Sequence, residues 1–183
     1  MLDHGIYLSR GNCRIRPITA NDEDKVLELW NQDYVVGNLW SGRTSHETYR
    51  EHFEKYVGDP NAFQMIVEDE ESAFVGTIGY KIDGGCATMS WFALYPTVKF
   101  LAVVPVILIN NYLFYCKDFD EILFNVNSKN TKIKKFHLFL HAEFTGRVAN
   151  AHSRYDVDVV REYWRYTRNE WGRHKEFYDN LCK

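Results

Sequence analysis

The chain has 183 residues, 45% of them hydrophobic and 16% aromatic, with a formal net charge of −3. The apolar content excludes a disordered chain, and the length suits one domain with its own core, taken as residues 1–183. The balance of charge supplies no overall basic field, so nucleic acid is not expected as a partner.

The cysteines Cys13, Cys86, Cys116 and Cys182 are widely separated and form no CxxC pair. Neither a zinc site nor a redox couple is expected, and the thiols are read as reduced. The first residues lack the basic-then-apolar layout of a signal peptide. The longest apolar run, residues 100–109, is too short to span a bilayer and carries Pro105. The expectation is a soluble, cytoplasmic protein with no metal and no membrane partner.

In chain order, CRIRPI (13–18) alternates and predicts a strand. TANDEDKVLELWNQ predicts a helix: Thr19 or Asn21 caps it, acids fill its first turn, and Val26, Leu27, Leu29 and Trp30 form its apolar face. DYVVGNLWSGR is a loop carrying Leu39 and Trp40. Ser45 caps a second helix reaching Tyr56, with Tyr49, Phe53 and Tyr56 at helical spacing.

Three strands follow, at 62–70, 73–83 and 87–95, the last two joined by the tight turn Gly84-Gly85. They form an antiparallel meander. A helix from about Pro105 to Cys116, a strand at 121–126, a helix at 130–140 and a strand at 142–148 come next. A polar loop then leads to an alternating strand at 159–167 and a closing helix over 169–181. The order β–α–α–β–β–β–α–β–α–β–β–α predicts an α/β protein whose mixed sheet has an antiparallel start and helix crossovers near its middle.

This order resembles the GNAT fold of acyl-CoA-dependent N-acyltransferases, an α/β fold in which a mixed central sheet with splayed central strands is flanked by helices. Three segments carry the resemblance. IRPITANDEDKVLELW is similar to the family's opening strand and first helix. NTKIKKFHLFLHAEF resembles the segment in which an Asn precedes a helix with an aromatic pair, and Asn130, Phe136 and Phe144 fall at the expected offsets. DVVREYWRYTRNEW resembles the ending of the branch that acetylates ribosomal protein N-termini, with Arg168, Glu170 and Trp171 matching.

The resemblance implies a function: transfer of an acetyl group from acetyl-CoA, as cosubstrate, to a primary amine on a protein or small molecule by direct attack. It implies that the pantetheine arm lies between two splayed strands, with Phe92, Ala93 and Leu94 supplying backbone groups. Thr97, Lys99, Phe100 and Val104 would sit in the pyrophosphate loop, and Asn130 and Phe136 would approach CoA. His137 stands where the family commonly has a tyrosine that protonates the leaving thiolate. Ser90 and Glu143 are candidates to orient a water or the amine. Each has a plainer reading as well, with valines that pack, a histidine in the core and an Asn130 that caps its helix.

The sequence also departs from the family pattern. The glycines of the pyrophosphate loop are absent from residues 97–104, and β-branched Val103 and Val104 do not readily reproduce a glycine's close approach to phosphate. His141 stands near the helix end where glycine is usual. Some phage-encoded GNAT-like proteins are similar in lacking those glycines. That looser resemblance implies the alternative: a non-catalytic protein binding another macromolecule, in a host cytoplasm or a virion. A homodimer or a macromolecular partner is left open.

Overall fold

A computed structural model describes residues 5–37, 42–57, 59–98, 101–149 and 160–182. A hairpin of β1 (Leu8–Arg10) and β2 (Cys13–Pro17) opens the chain, turning through Gly11 at φ +54°. The Gly11-Asn12 pair is a hairpin signal that a reading starting at Cys13 passes over. A 3₁₀ turn (Ala20–Asp22) leads into α1 (Glu23–Trp30), α2 (Asp33–Val36) and α3 (His46–Val57). Strands β3 (Ala62–Glu68), β4 (Phe74–Asp83) and β5 (Cys86–Leu94) form the expected meander. Then come α4 (Val104–Tyr115), β6 (Glu121–Asn127), α5 (Thr131–Phe139), β7 (Glu143–Val148), β8 (Arg161–Thr167), α6 (Arg168–Arg173) and α7 (Lys175–Leu181).

Local chemistry sets the starts of these elements. The Thr19 amide and hydroxyl both donate to the Asp22 carboxylate, at 2.8 and 2.9 Å, closing the first turn ahead of α1. The Ser45 hydroxyl accepts from the Thr48 amide and starts α3. Helices α1 and α3 are tied together by Glu23, which meets His46 at 2.6 Å and Arg50 at 3.0 Å. The single closing helix expected over 169–181 is broken at His174, whose amide turns back onto the Trp171 carbonyl. The break brings Tyr178 of α7 against Trp171 of α6, with ring centroids 4.1 Å apart, and buries both.

Among the described residues the strands form one eight-stranded sheet in the order β1-β2-β3-β4-β5-β6-β8-β7. Strand β8 inserts between β6 and β7, pairing along the whole length of β6 from Glu121↔Thr167 to Asn127↔Arg161. All neighbours are antiparallel except β5 and β6. One face packs against α1 and α3 through Val26, Leu29, Trp30, Tyr49 and Ile66. The other carries the larger core, built on α4 and on aromatic residues of β8, α6 and α7. Helix α4 is apolar on nearly all sides, which suits its burial in that core.

Candidate functional site

The parallel strands β5 and β6 pair at only two described positions, Ala87↔Ile122 and Thr88↔Leu123. Beyond Thr88 the described residues of the two strands no longer pair, and the gap between their unpaired C-terminal parts is called the wedge below. In chain order, α4 follows the C-terminal end of β5 and α5 follows that of β6.

A β-bulge shapes the β5 side of this wedge. Thr77 pairs with Ala93 and Gly79 with Ser90, so Trp91 and Phe92 together oppose the single residue Ile78. Trp91 sits at φ +51°, a left-handed conformation unusual for a bulky side chain. Gly79 makes room for it: a Cβ there would lie 2.5 Å from Trp91 Cε3 and 2.7 Å from the Phe63 carbonyl oxygen. The buried Thr77 hydroxyl donates to the Trp91 carbonyl at 2.8 Å and accepts from the Trp30 indole at 3.1 Å, fixing the bulge to α1.

The directions of the peptide groups follow, because a trans peptide sets a carbonyl and the next N–H on opposite sides. The Trp91 carbonyl faces Thr77 on β4, so the Phe92 N–H faces the wedge. The Ala93 carbonyl lies against Gly76 on β4, so the Leu94 N–H also faces the wedge. The Tyr95 N–H bonds Val75 on β4 at 2.9 Å, which turns the Leu94 carbonyl to the wedge. There it accepts the hydroxyl of Tyr34 on α2 at 3.2 Å.

The wedge thus gathers Phe92 and Leu94 of the expected backbone set. Ala93 is a correction: it pairs with Thr77 and directs its carbonyl to β4, because alternate residues of a strand serve opposite neighbours. The Phe92 ring meets Phe136 of α5 at 5.4 Å, on the face that carries α4. Asn130 caps α5, its side-chain oxygen accepting from the Ile133 amide at 3.2 Å.

In the loop, Thr97 is exposed, whereas Val103 and Val104 are buried in the larger core. Val104 is therefore placed by its side chain as a packing residue. Its N–H is occupied by the Leu101 carbonyl at 2.9 Å. Lys99 and Phe100 lie outside the described residues, as do Leu39 and Trp40. Arg43 of the same loop is described, donating to the Asn31 carbonyl and to Asp33.

The three candidate catalytic residues diverge. Ser90 lies just past the last β5–β6 pair, on the face opposite buried Met89, where the wedge begins. Glu143 is three strands away, in the row Thr88–Leu123–Arg165–Glu143. Strand spacing puts it about 14 Å from β5. It is exposed and paired with Arg165 at 2.9 Å.

His137 is only 3% exposed, stacked on Phe124 at 3.9 Å, and its Nδ1 shares a hydrogen bond with the Tyr166 hydroxyl. Burial pushes its pKa down to about 3, so the ring is neutral at physiological pH. Its environment is that of a core side chain. Nearby His141 takes φ +57° where α5 ends, the left-handed conformation that glycine favours.

Thr77, Gly79 and Tyr34 have no place in the motif reading. The Gly76 and Gly79 pair inside a predicted strand is the one local signal of a bulge or close approach. Among the described residues no cluster of His, Cys, Asp or Glu is arranged to hold a metal ion, and no helix is long and apolar enough to cross a membrane.

No family model matches the chain, and no curated protein matches it. Solved structures do resemble it. A GCN5-related N-acetyltransferase from Brucella melitensis superposes with a TM-score of 0.82 at 13% identity, covering 98% of this chain and 86% of that one. Spermidine N-acetyltransferase from Vibrio cholerae, in complex with CoA and spermine, gives 0.77 at 13% identity, covering 87% and 98%. Ribosomal-protein-S5-alanine acetyltransferase from Vibrio fischeri gives 0.74 at 14% identity, covering 91% and 98%. The chain has the GNAT fold.

Proposed function

We propose that this GNAT-fold chain is an N-acyltransferase that moves an acyl group, acetyl in the simplest case, from a pantetheine thioester such as acetyl-CoA to a primary amine. The observation that carries this reading is the wedge, with the Phe92 and Leu94 N–H groups turned into it by a bulge held at Thr77. An extended arm bearing amides can pair with such an edge as an added strand does.

On this reading the Phe92 N–H donates to the thioester carbonyl, and its direction is set before any substrate arrives. A preorganised donor of this kind stabilises the oxyanion of the tetrahedral intermediate. On the same reading the amine enters from the α1 and α3 face, on which Ser90 lies, and the Ser90 hydroxyl orients it. The N–C bond forms, the C–S bond breaks, and the proton lost by nitrogen ends on the departing thiol. His137 packs the core and Glu143 supports the β7–β8 edge, so neither is assigned a part in proton transfer.

The second reading, a non-catalytic protein with the same fold, draws on one observation: Val103 and Val104 pack inward and the Val104 N–H is already bonded. Thermal shift and calorimetry with acetyl-CoA and with S-acetylpantetheine decide between them. Saturation at about 100 times Kd should stabilise the fold by about 2.7 kcal/mol. Acyl transfer to a panel of polyamines, aminosugars and peptide N-termini, followed by mass spectrometry, should then yield an acylated amine. Absence of both a shift and a product with either thioester would leave the binding-protein reading in place.

A further inference from the structure

We infer that Cys13 and Cys182 form a redox pair: a small-molecule disulfide converts the two thiols into one intramolecular disulfide that staples the last turn of α7 to the hairpin that opens the chain.

The two residues stand at opposite ends of the sequence, and the fold brings them together. Cys13 is the cross-strand partner of Arg10 in the β1–β2 hairpin. Directly opposed residues of an antiparallel pair carry their side chains on one face. Arg10 reaches α7, its guanidinium donating to the Asp179 carboxylate at 2.7 Å and to the Asp179 carbonyl at 3.2 Å. Cys182 caps the end of α7, three positions after Asp179, and so lies on the same side of the helix. Two neighbours on the hairpin therefore face two neighbours on the helix, Arg10 with Asp179 and Cys13 with Cys182. Both thiols are free, 0% and 4% exposed, and lie in one core.

The electrostatics agree with this placement. Burial first, and the charge of a Cys182 thiolate second, push the Cys13 thiol up to about 12. Burial also pushes Cys182 up, and Arg10 and Asp179 both act on it by charge. In the closed fold the two thiols stay protonated and inert. The way in is the C-terminal turn of α7, because helix ends open at lower cost than a core.

The exchange balances. With that turn open, Cys182 attacks the small disulfide as its thiolate, forms a mixed disulfide, and its proton ends on the first small thiol released. The Cys13 sulfur then attacks the Cys182 sulfur, closes the intramolecular bond, and its proton ends on the second. Two protein thiols are oxidised, and one small disulfide is reduced to two thiols. A disulfide holds its Cα atoms about 4.4–6.8 Å apart, and the terminal turn of α7 supplies the adjustment. The bond closes a loop of about 170 residues, and the gain in stability grows with loop length.

The test uses the full chain carrying Cys86→Ser and Cys116→Ser, which removes the half-buried and the exposed thiol. It is incubated with oxidised glutathione and mapped by mass spectrometry without reduction. The expected result is a linked peptide pair containing Cys13 and Cys182, with Tm raised by about 10 °C and restored by dithiothreitol. Adding Cys182→Ser should abolish both the link and the rise. In the unsubstituted chain the same linked pair should appear beside glutathione adducts at Cys116. Adducts on Cys182 with no link to Cys13, thiols that both stay free, or a linked pair with Tm unchanged or lowered would each overturn the inference.

Discussion

Asp22, 2% exposed, receives both terminal nitrogens of Arg16, at 2.7 and 2.8 Å, together with the Thr19 amide and hydroxyl. Burial pushes its pKa up, but the Arg16 guanidinium and the Thr19 donors outweigh it and hold the carboxyl below its ordinary value. A depressed carboxylate contributes stability above its unfolded pKa and loses it as pH falls, here below about 4. Arg16→Met leaves that charge buried and unpaired, so urea melts near neutral pH should show a loss of about 3 kcal/mol or more.

His137 has the same sign for a different reason. Its folded pKa, about 3, lies below the unfolded value, so its neutral form stabilises the fold above about pH 6.5. Below that the unfolded chain takes up a proton that the core refuses, and the folding constant should fall by about tenfold per pH unit. His137→Leu, measured by urea melts between pH 4 and 7, should flatten this slope. A slope unchanged in the variant would place the proton elsewhere. The cost of the change near neutral pH is about 1 to 3 kcal/mol, from the Tyr166 hydroxyl left without its partner.

At the level of elements, the bulge in β5 joins stability to function. Thr77→Val keeps the volume nearly the same but removes the hydroxyl that links the Trp30 indole to the Trp91 carbonyl. Two buried polar groups lose a partner, which should cost about 2 kcal/mol or more in chemical denaturation. The same change frees the Trp91–Phe92 peptide to rotate, so binding of S-acetylpantetheine should weaken more than the stability change alone explains. Binding that stays intact would mean that the Phe92 N–H does not hold the arm. At the far end of the wedge, the Tyr34 hydroxyl already occupies the Leu94 carbonyl. An arm pairing there must displace Tyr34 or leave that bond in place.

On the scale of the whole molecule, the chain closes on itself through α7. Tyr178 packs on Trp171 and donates to the Leu140 carbonyl at 2.8 Å, Arg10 of β1 bonds Asp179 at 2.7 Å, and Cys182 is buried in the same core as Cys13. The Arg10–Asp179 pair is partly exposed and is worth about 1 kcal/mol or less. The aromatic contact outweighs it. Tyr178→Ala should cost about 3 to 5 kcal/mol, read as a lowered urea midpoint at unchanged slope.

Legible in the sequence were the order of the main strands and helices from β2 to β8, the caps at Thr19, Ser45 and Asn130, and the lack of glycine in residues 97–104; β1, α2 and the break at His174 were not. The first group is legible because caps, turns and apolar faces are set by residues a few positions apart. Tertiary structure alone decided that β8 enters between β6 and β7, that His137 is enclosed and neutral, and that Phe92 and Leu94 face the wedge while Ala93 does not. Those outcomes depend on partners far along the chain: Thr77 on Trp91 at a separation of 14 residues, Trp30 on Thr77 at 47, and Tyr34 on Leu94 at 60. A strand's own pattern shows which side chains lie on one face. The direction of its peptide groups is fixed only when its neighbours are in place.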